Sequence, residues 1–192
     1  MSRIPQLDKS ALTREQQEIY DAILTGPRGT VVGPLLVWLQ SPGLAAQAQA
    51  LGQYVRFDSV LPEHLSELAI LVTARYWSSG FEWSHHVPIA LESGVPEAAV
   101  KAIGCAKFFN FQDAKMRAVF SFVVELNLSK RVSDQSYAAA KQVLGLQGCV
   151  DLVGICGYYT LISMTINVFD VADGDGPALP KLDIATNDYF KV

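Results

Sequence analysis

Charge is the first thing this sequence is short of. Only 18% of its 192 residues are charged, whereas 50% are hydrophobic. A small monomer has much surface to cover with polar groups, so the deficit points to apolar surface covered by another subunit. The net charge is −4 and Lys and Arg form no cluster, which leaves no electrostatic footprint for nucleic acid. Cysteine is scarce too. Cys105, Cys149 and Cys156 are odd in number, widely spaced and set among apolar residues, with no CxxC pair. That excludes a disulfide framework or zinc knuckle and predicts buried structural thiols. There is no G-x-S-x-G element for a nucleophilic serine and no glycine loop that reads as a phosphate cradle. No cofactor is expected.

The start of the chain, MSRIPQLDKSALTREQQ, lacks the apolar core of a signal peptide, so the expected location is cytoplasmic. Two uncharged stretches raise the question of a membrane. Val31 to Val55 is interrupted by Pro34, Pro42, three glycines and four glutamines. Leu152 to Phe169 is nearly long enough to span, but it carries Gly154, Gly157, Thr160, Ser163, Thr165 and Asn167. A buried or interface helix is the expectation, with no membrane partner.

What is present is helical signal, and no alternating strand pattern. Thr13 opens T-R-E-Q, a capping-box pattern, and Gly26, Pro27 and Gly29 end the helix that follows. Pro42 starts a helix to about Phe57. Pro62 starts another, ending near Ser78 to Gly80, and the next runs from Phe81 to Gly94. A short helix spans Pro96 to Gly104. Further helices cover Asp113 to Leu128, Asp134 to Leu144 and Gln147 to Phe169. The expectation is an all-α fold in one domain, residues 1–192. Residues 1–30 would form a helical extension, and residues 172–192 a loose tail reaching a neighbouring subunit.

The stretch GFEWSHHVPIA, Gly80 to Ala90, concentrates the chemistry. Residues four apart share a helix face, so Glu82 and His86 project together. Glu82 would sit in the first turn, where free N–H groups favour a carboxylate. A carboxylate beside an imidazole raises its pKa and makes a usable acid/base near neutrality. Pro88 cannot donate to Ser84 and predicts a kink with room for a ligand. His85 points about 100° away and reads as a capping, packing or supporting residue. Tyr76, Trp77, Phe81 and Trp83 are candidates for an apolar pocket wall, or for core. Glu82 and His85 also form one E-x-x-H element of the kind di-iron bundles use. Glu63, His64 and Glu67 could lie nearby, but the ligand count is too small and no metal is expected.

Residues 62–103, PEHLSELAILVTARYWSSGFEWSHHVPIALESGVPEAAVKAI, resemble the carboxymuconolactone decarboxylase family and its relatives, the alkylhydroperoxidase D-type proteins. In the peroxidase branch a glutamate is followed at +12 and +15 by two cysteines and at +19 by a histidine. Here those positions are Glu67, Ser79, Glu82 and His86. In the decarboxylase branch an E-x-x-x-H element ends the motif, as Glu82 and His86 do. A looser likeness, including the stretch from Gly43 to Tyr54, covers most of the chain. The resemblance implies an alkylhydroperoxidase D-like all-helical fold that assembles as a homo-oligomer, a trimer or hexamer, with sites at or near subunit contacts.

Without the two cysteines, CxxC peroxidase chemistry is not expected. The resemblance implies a lyase whose catalytic residues are Glu67, Glu82 and His86. His86 would donate the proton, Glu82 would orient it, and Glu67 would complete a relay. Ser79, Trp83 and His85 are placed in the pocket or behind it, with an exposed helix cap as the simpler role for Ser79. Arg75 reads as a carboxylate anchor or a surface arginine. The expected partner is a small organic acid or lactone from aromatic degradation, although no cation cluster is visible to hold an acid. A non-catalytic oligomer that binds a small ligand is the alternative, and a peroxidase using off-motif cysteines a more distant one.

Overall fold

The computed structural model describes residues 3–4 and 7–190; the ends of the expected N-terminal extension and C-terminal tail lie outside them. Every regular element among the described residues is helical. Residues 9–11 form a 3₁₀ turn, followed by α1 (Arg14–Thr25), α2 (Pro34–Trp38) and α3 (Pro42–Gln53). A single π turn, Tyr54–Asp58, leads on to α4 (Glu63–Tyr76), α5 (Gly80–Ser93) and α6 (Glu97–Gly104). Then come α7 (Ala114–Ser129) and α8 (Asp134–Phe169). The helix starts follow local chemistry. The Thr13 hydroxyl accepts from the Gln16 N–H, and the Gln16 side chain accepts from the Thr13 N–H, so each satisfies a donor the helix leaves free. Asp113 and Ser133 cap α7 and α8 in the same sense. Gly94, at φ 108°, ends α5 in the left-handed region that glycine enters without strain.

α4 is the axis of the fold. It packs against α5, α6, α7 and α8, and every residue from Leu65 to Arg75 is buried. A helix enclosed on all sides loses the polar stripe of a surface helix. Leu65, Leu68, Ile70, Leu71 and Val72 anchor it, each worth about 1.5–3 kcal/mol of burial. The two helices expected at the end of the chain are both present within α8, separated by a non-helical break at Gly145 (φ 72°). By length and composition α8 passes for a membrane span, but half of its most apolar window is buried within the protein.

The tail does not stand away from its own subunit. The Arg75 guanidinium is buried and donates to the carbonyls of Pro180 (2.7 Å) and Gly104 (3.3 Å), to Ser78 Oγ and to Tyr189 Oη. Tyr189 and Phe190 are buried, and the Phe190 N–H donates to the Ala106 carbonyl at 2.6 Å. Arg75 is therefore neither a surface arginine nor a substrate anchor; it fastens the tail to α4. Upstream, the Gly174 N–H donates to Ser84 Oγ, and Gly176 packs so closely on the Ser84 carbonyl that a Cβ would collide with it. Pro88 leaves that carbonyl without its helical donor. The tail, not a ligand, fills the space beside it.

Candidate functional site

α4 and α5 pack side by side and bring three polar side chains together inside the protein. His86 Nδ1 lies 2.7 Å from Glu67 Oε2, and His86 Nε2 lies 3.3 Å from Glu82 Oε2. Glu67, Glu82 and His86 are each no more than 3% exposed. The spacing of four in α5 sets Glu82 below His86, and the antiparallel return from α4 supplies Glu67. Burial alone would lower the His86 pKa. The charge and hydrogen bond of Glu67, with those of Glu82, outweigh it and raise the pKa above the ordinary histidine value. Tyr159 of α8 meets the imidazole edge-on, with ring centres 5.1 Å apart.

This triad forms the floor of a pocket of about 230 Å³. Glu82 and His86 line it, whereas Glu67 stands behind. Phe81, Ile89, Leu35, Ile162 and Tyr159 provide apolar walls. His85 is at the rim, stacked on Phe81 with an interplanar angle of 6°. One edge of His85 is open, but the surrounding protein, then the charges of His86 and Arg56, push its pKa down to about 4. It stays neutral near neutral pH. Burial raises Tyr158 to about 12 and Tyr159 well above the usual phenol value, so both keep their O–H.

Two pocket residues were not recognised in the sequence. Arg28, from the loop after α1, and Arg56, from the π turn, both line the cavity. The cation cluster that appears missing along the chain is assembled by folding. Arg28 Nη2 donates to Tyr158 Oη at 2.9 Å, while its Nε is buried and has no partner. The Arg56 guanidinium lies over the Phe57 ring, 5.1 Å from its centre. Two glycines make this wall possible. A Cβ on Gly52 would collide with Tyr158 Oη and Arg28 Nη2, and one on Gly33 (φ 55°) with the Phe81 ring. The usable sequence signals are the isolated charges: Arg28 inside a Gly-Pro turn, and Arg56 directly after 27 uncharged residues.

Other expectations are corrected. Trp83 is buried in the core against Gly104, and does not line the cavity. Ser79 is the N-cap residue of α5, but it is fully buried rather than exposed, and its hydroxyl makes no cap bond and has no partner. Tyr76 and Trp77 line a separate groove against α7 and α8. Of the cysteines, Cys149 and Cys156 are buried as expected, and Cys105 is exposed. Burial raises Cys149 and pushes Cys156 up to about 12, and none of the three lines the pocket. Among the described residues no group of three His, Cys, Asp or Glu side chains is arranged to hold a metal ion.

No known family's sequence profile matches the chain, and no curated protein matches it by sequence. Solved structures do match. A crystal structure of the debrominase Bmp8, a cysteine-to-alanine variant in complex with 2,3,4-tribromopyrrole, superposes with a TM-score of 0.71 at 14% identity, covering 91% of this chain and 95% of that one. The apo debrominase gives a TM-score of 0.70 at 14% identity, with 88% and 90% covered. At this identity the likeness is one of fold, and the expected all-helical, alkylhydroperoxidase D-like fold is the one this chain adopts.

Proposed function

We propose that this protein is an acid–base enzyme, a lyase-type catalyst of decarboxylation or proton transfer on a small organic acid or lactone. The single observation that carries this reading is the His86 imidazole, clamped between two carboxylates at the floor of a pocket that also holds two arginines. The geometry refines the roles. The short bond from Nδ1 to Glu67 fixes the ring and its tautomer, so Glu67 is the orienting residue. Nε2 faces Glu82 over a longer contact on the pocket side, and this is the nitrogen a substrate reaches. Such a pair contributes typically 10²–10⁴-fold to a proton transfer.

Arg28 and Arg56 answer the electrostatic objection to an acidic substrate. Glu67 and Glu82 would repel an anion, and two guanidinium groups offset them. The unpartnered Arg28 Nε is a donor already stripped of water. In a decarboxylation the bond to the leaving carboxylate breaks, and its electron pair passes into an adjacent unsaturated carbonyl. The arginines bind the resulting oxyanion or a second carboxylate. His86 then gives the Nε2 proton to carbon, carbon dioxide leaves, and Glu82 returns a proton from solvent. The Bmp8 variant was solved in complex with a small halogenated pyrrole, which supports small-molecule chemistry on this fold. No cysteine lines the pocket here, which supports acid–base rather than thiol chemistry.

The test is a mass-spectrometric screen of wild type and His86→Ala against small lactones and β-keto or unsaturated acids in D₂O. Loss of carbon dioxide, or deuterium uptake at carbon, seen only with wild type is the expected result. Binding of these acids with no turnover by either protein would replace the enzyme by a binding protein.

A further inference from the structure

α8 presents a face that its own subunit leaves uncovered. Beyond the break at Gly145, Leu146, Val150, Val153, Met164 and Val168 are between 42% and 63% exposed. Gly157, exposed, and Thr160, half-buried, lie between them. At 100° per residue, all seven fall within about 40° of a single line along the helix. The steps alternate between four and three until the final four, which is the seam of a coiled coil rather than the wide apolar stripe of a surface helix. The seam carries no charge and runs about 33 Å.

Gly157 adds an independent observation. A glycine inside a helix costs about 1 kcal/mol relative to alanine, yet a Cβ at this position would meet nothing within 4 Å. The subunit itself has no need of the missing side chain. A glycine there does allow another backbone to approach closely. It also sits at the midpoint of the seam, with Leu146 and Val168 equally far along the chain on either side.

We propose that α8 packs antiparallel against α8 of a second copy, about a twofold axis passing beside Gly157. That operation brings Leu146 opposite Val168 of the partner subunit and Val150 opposite Met164 of the partner subunit, so each large side chain meets another. The two glycines meet at the crossing. Positions 146, 150, 157, 164 and 168 exchange with one another under that operation, while Val153 and Thr160 fall one residue out of register, opposite positions 161 and 154. This near-symmetry fits an isologous contact, in which one patch serves both subunits, and an unrelated partner requires none of it. The groove of about 860 Å³ lined by Tyr76, Trp77, Leu126 and Lys130 shares Val153, Gly157 and Met164 with the seam and gives the incoming helix room. This assembly holds whether or not the acid–base reading does.

Two variants test it. Sedimentation of wild type is expected to give an even multiple of the 20.9 kDa chain mass, and Gly157→Glu half of that mass or less, with an unchanged helical circular dichroism spectrum. In a Cys105→Ser background, Gly157→Cys is expected to cross-link to its own copy on mild oxidation, because a residue on the axis faces itself. The proposal is overturned if wild type sediments as a single chain, or if folded Gly157→Glu keeps the full assembly. It is also overturned if Gly157→Cys forms no cross-linked dimer. Flotation of wild type with phosphatidylcholine vesicles, abolished by Gly157→Glu, would overturn it in favour of a lipid-facing helix.

Discussion

Glu67 on α4 and His86 on α5 are joined through Oε2 and Nδ1 at 2.7 Å, with both side chains buried. Nineteen residues apart in sequence, they form the contact that fixes how the two central helices sit against each other at the pocket floor.

That contact predicts a specific pH behaviour. The folded His86 pKa is raised above its ordinary value of about 6.5. The stability it contributes is therefore complete below about pH 6.5 and is lost as the pH climbs through the raised folded value. NMR titration of the imidazole should show His86 titrating above 6.5, and Glu67→Gln should bring that value down. Breaking the buried pair with Glu67→Ala should cost about 3–5 kcal/mol in urea unfolding. An unchanged His86 titration in Glu67→Gln would remove Glu67 from its orienting role.

The two arginines should act on binding more than on folding. Arg56→Met is expected to raise KM for an acidic substrate roughly 10- to 100-fold, the worth of a charged hydrogen bond of about 1.5–3 kcal/mol. The melting temperature should move little, since no protein hydrogen bond or ion pair involving Arg56 is made among the described residues. Raising the salt concentration should mimic part of the effect. A neutral lactone of the same shape should be nearly indifferent to the substitution; equal loss for neutral and acidic compounds would argue against an anion clamp.

Gly52 is expected to be intolerant of a single added methyl. Gly52→Ala drives a Cβ into the Arg28–Tyr158 pair, and overpacking of this kind costs about 1–3 kcal/mol. Alanine favours helix over glycine by about 1 kcal/mol, so the loss seen in thermal unfolding will be smaller than the strain. Steady-state kinetics should show a higher KM as Arg28 shifts. Gly43→Ala, where a Cβ meets nothing within 4 Å, is the control and should leave activity unchanged.

Removing the clasp on the tail should be visible without any substrate. Arg75→Met leaves the carbonyl of buried Gly104 without its donor, at a cost of about 1–3 kcal/mol, and releases the Pro180 carbonyl at the exposed end of the clasp. Limited proteolysis should then cut within residues 172–190 before it cuts the helices. Tyr189→Phe keeps the ring and loses only the hydroxyl, so its effect should be about 1 kcal/mol.

Sequence reasoning succeeds where the signal is local. Thr13, Pro42, Asp113 and Gly94 mark helix ends because capping depends on a few neighbouring residues. Glu82 and His86 are legible because helical spacing alone puts them on one face. Glu67 comes only through the family resemblance, since nothing in its own neighbourhood says which helix it meets. Arg28 and Arg56 are not legible as a pair. One lies in a loop and the other in a π turn, and packing against α8 is what brings them to one wall. Arg75 misleads for a further reason: periodicity assigns a polar residue to the outer face of a helix, and α4 has no outer face. Ser79 misleads because a capping preference says nothing about whether the cap is buried.

The Ser84 carbonyl left open by Pro88, and the glycines of the tail that close over it, set an order of events during synthesis. Residues 174 and 176 leave the ribosome after all eight helices. Until they arrive, the first turn of α5 and the buried end of Arg75 have no cover. The cover over α5 and Arg75 is thus completed late and from the far end of the chain, after every residue that lines the His86 pocket has been made.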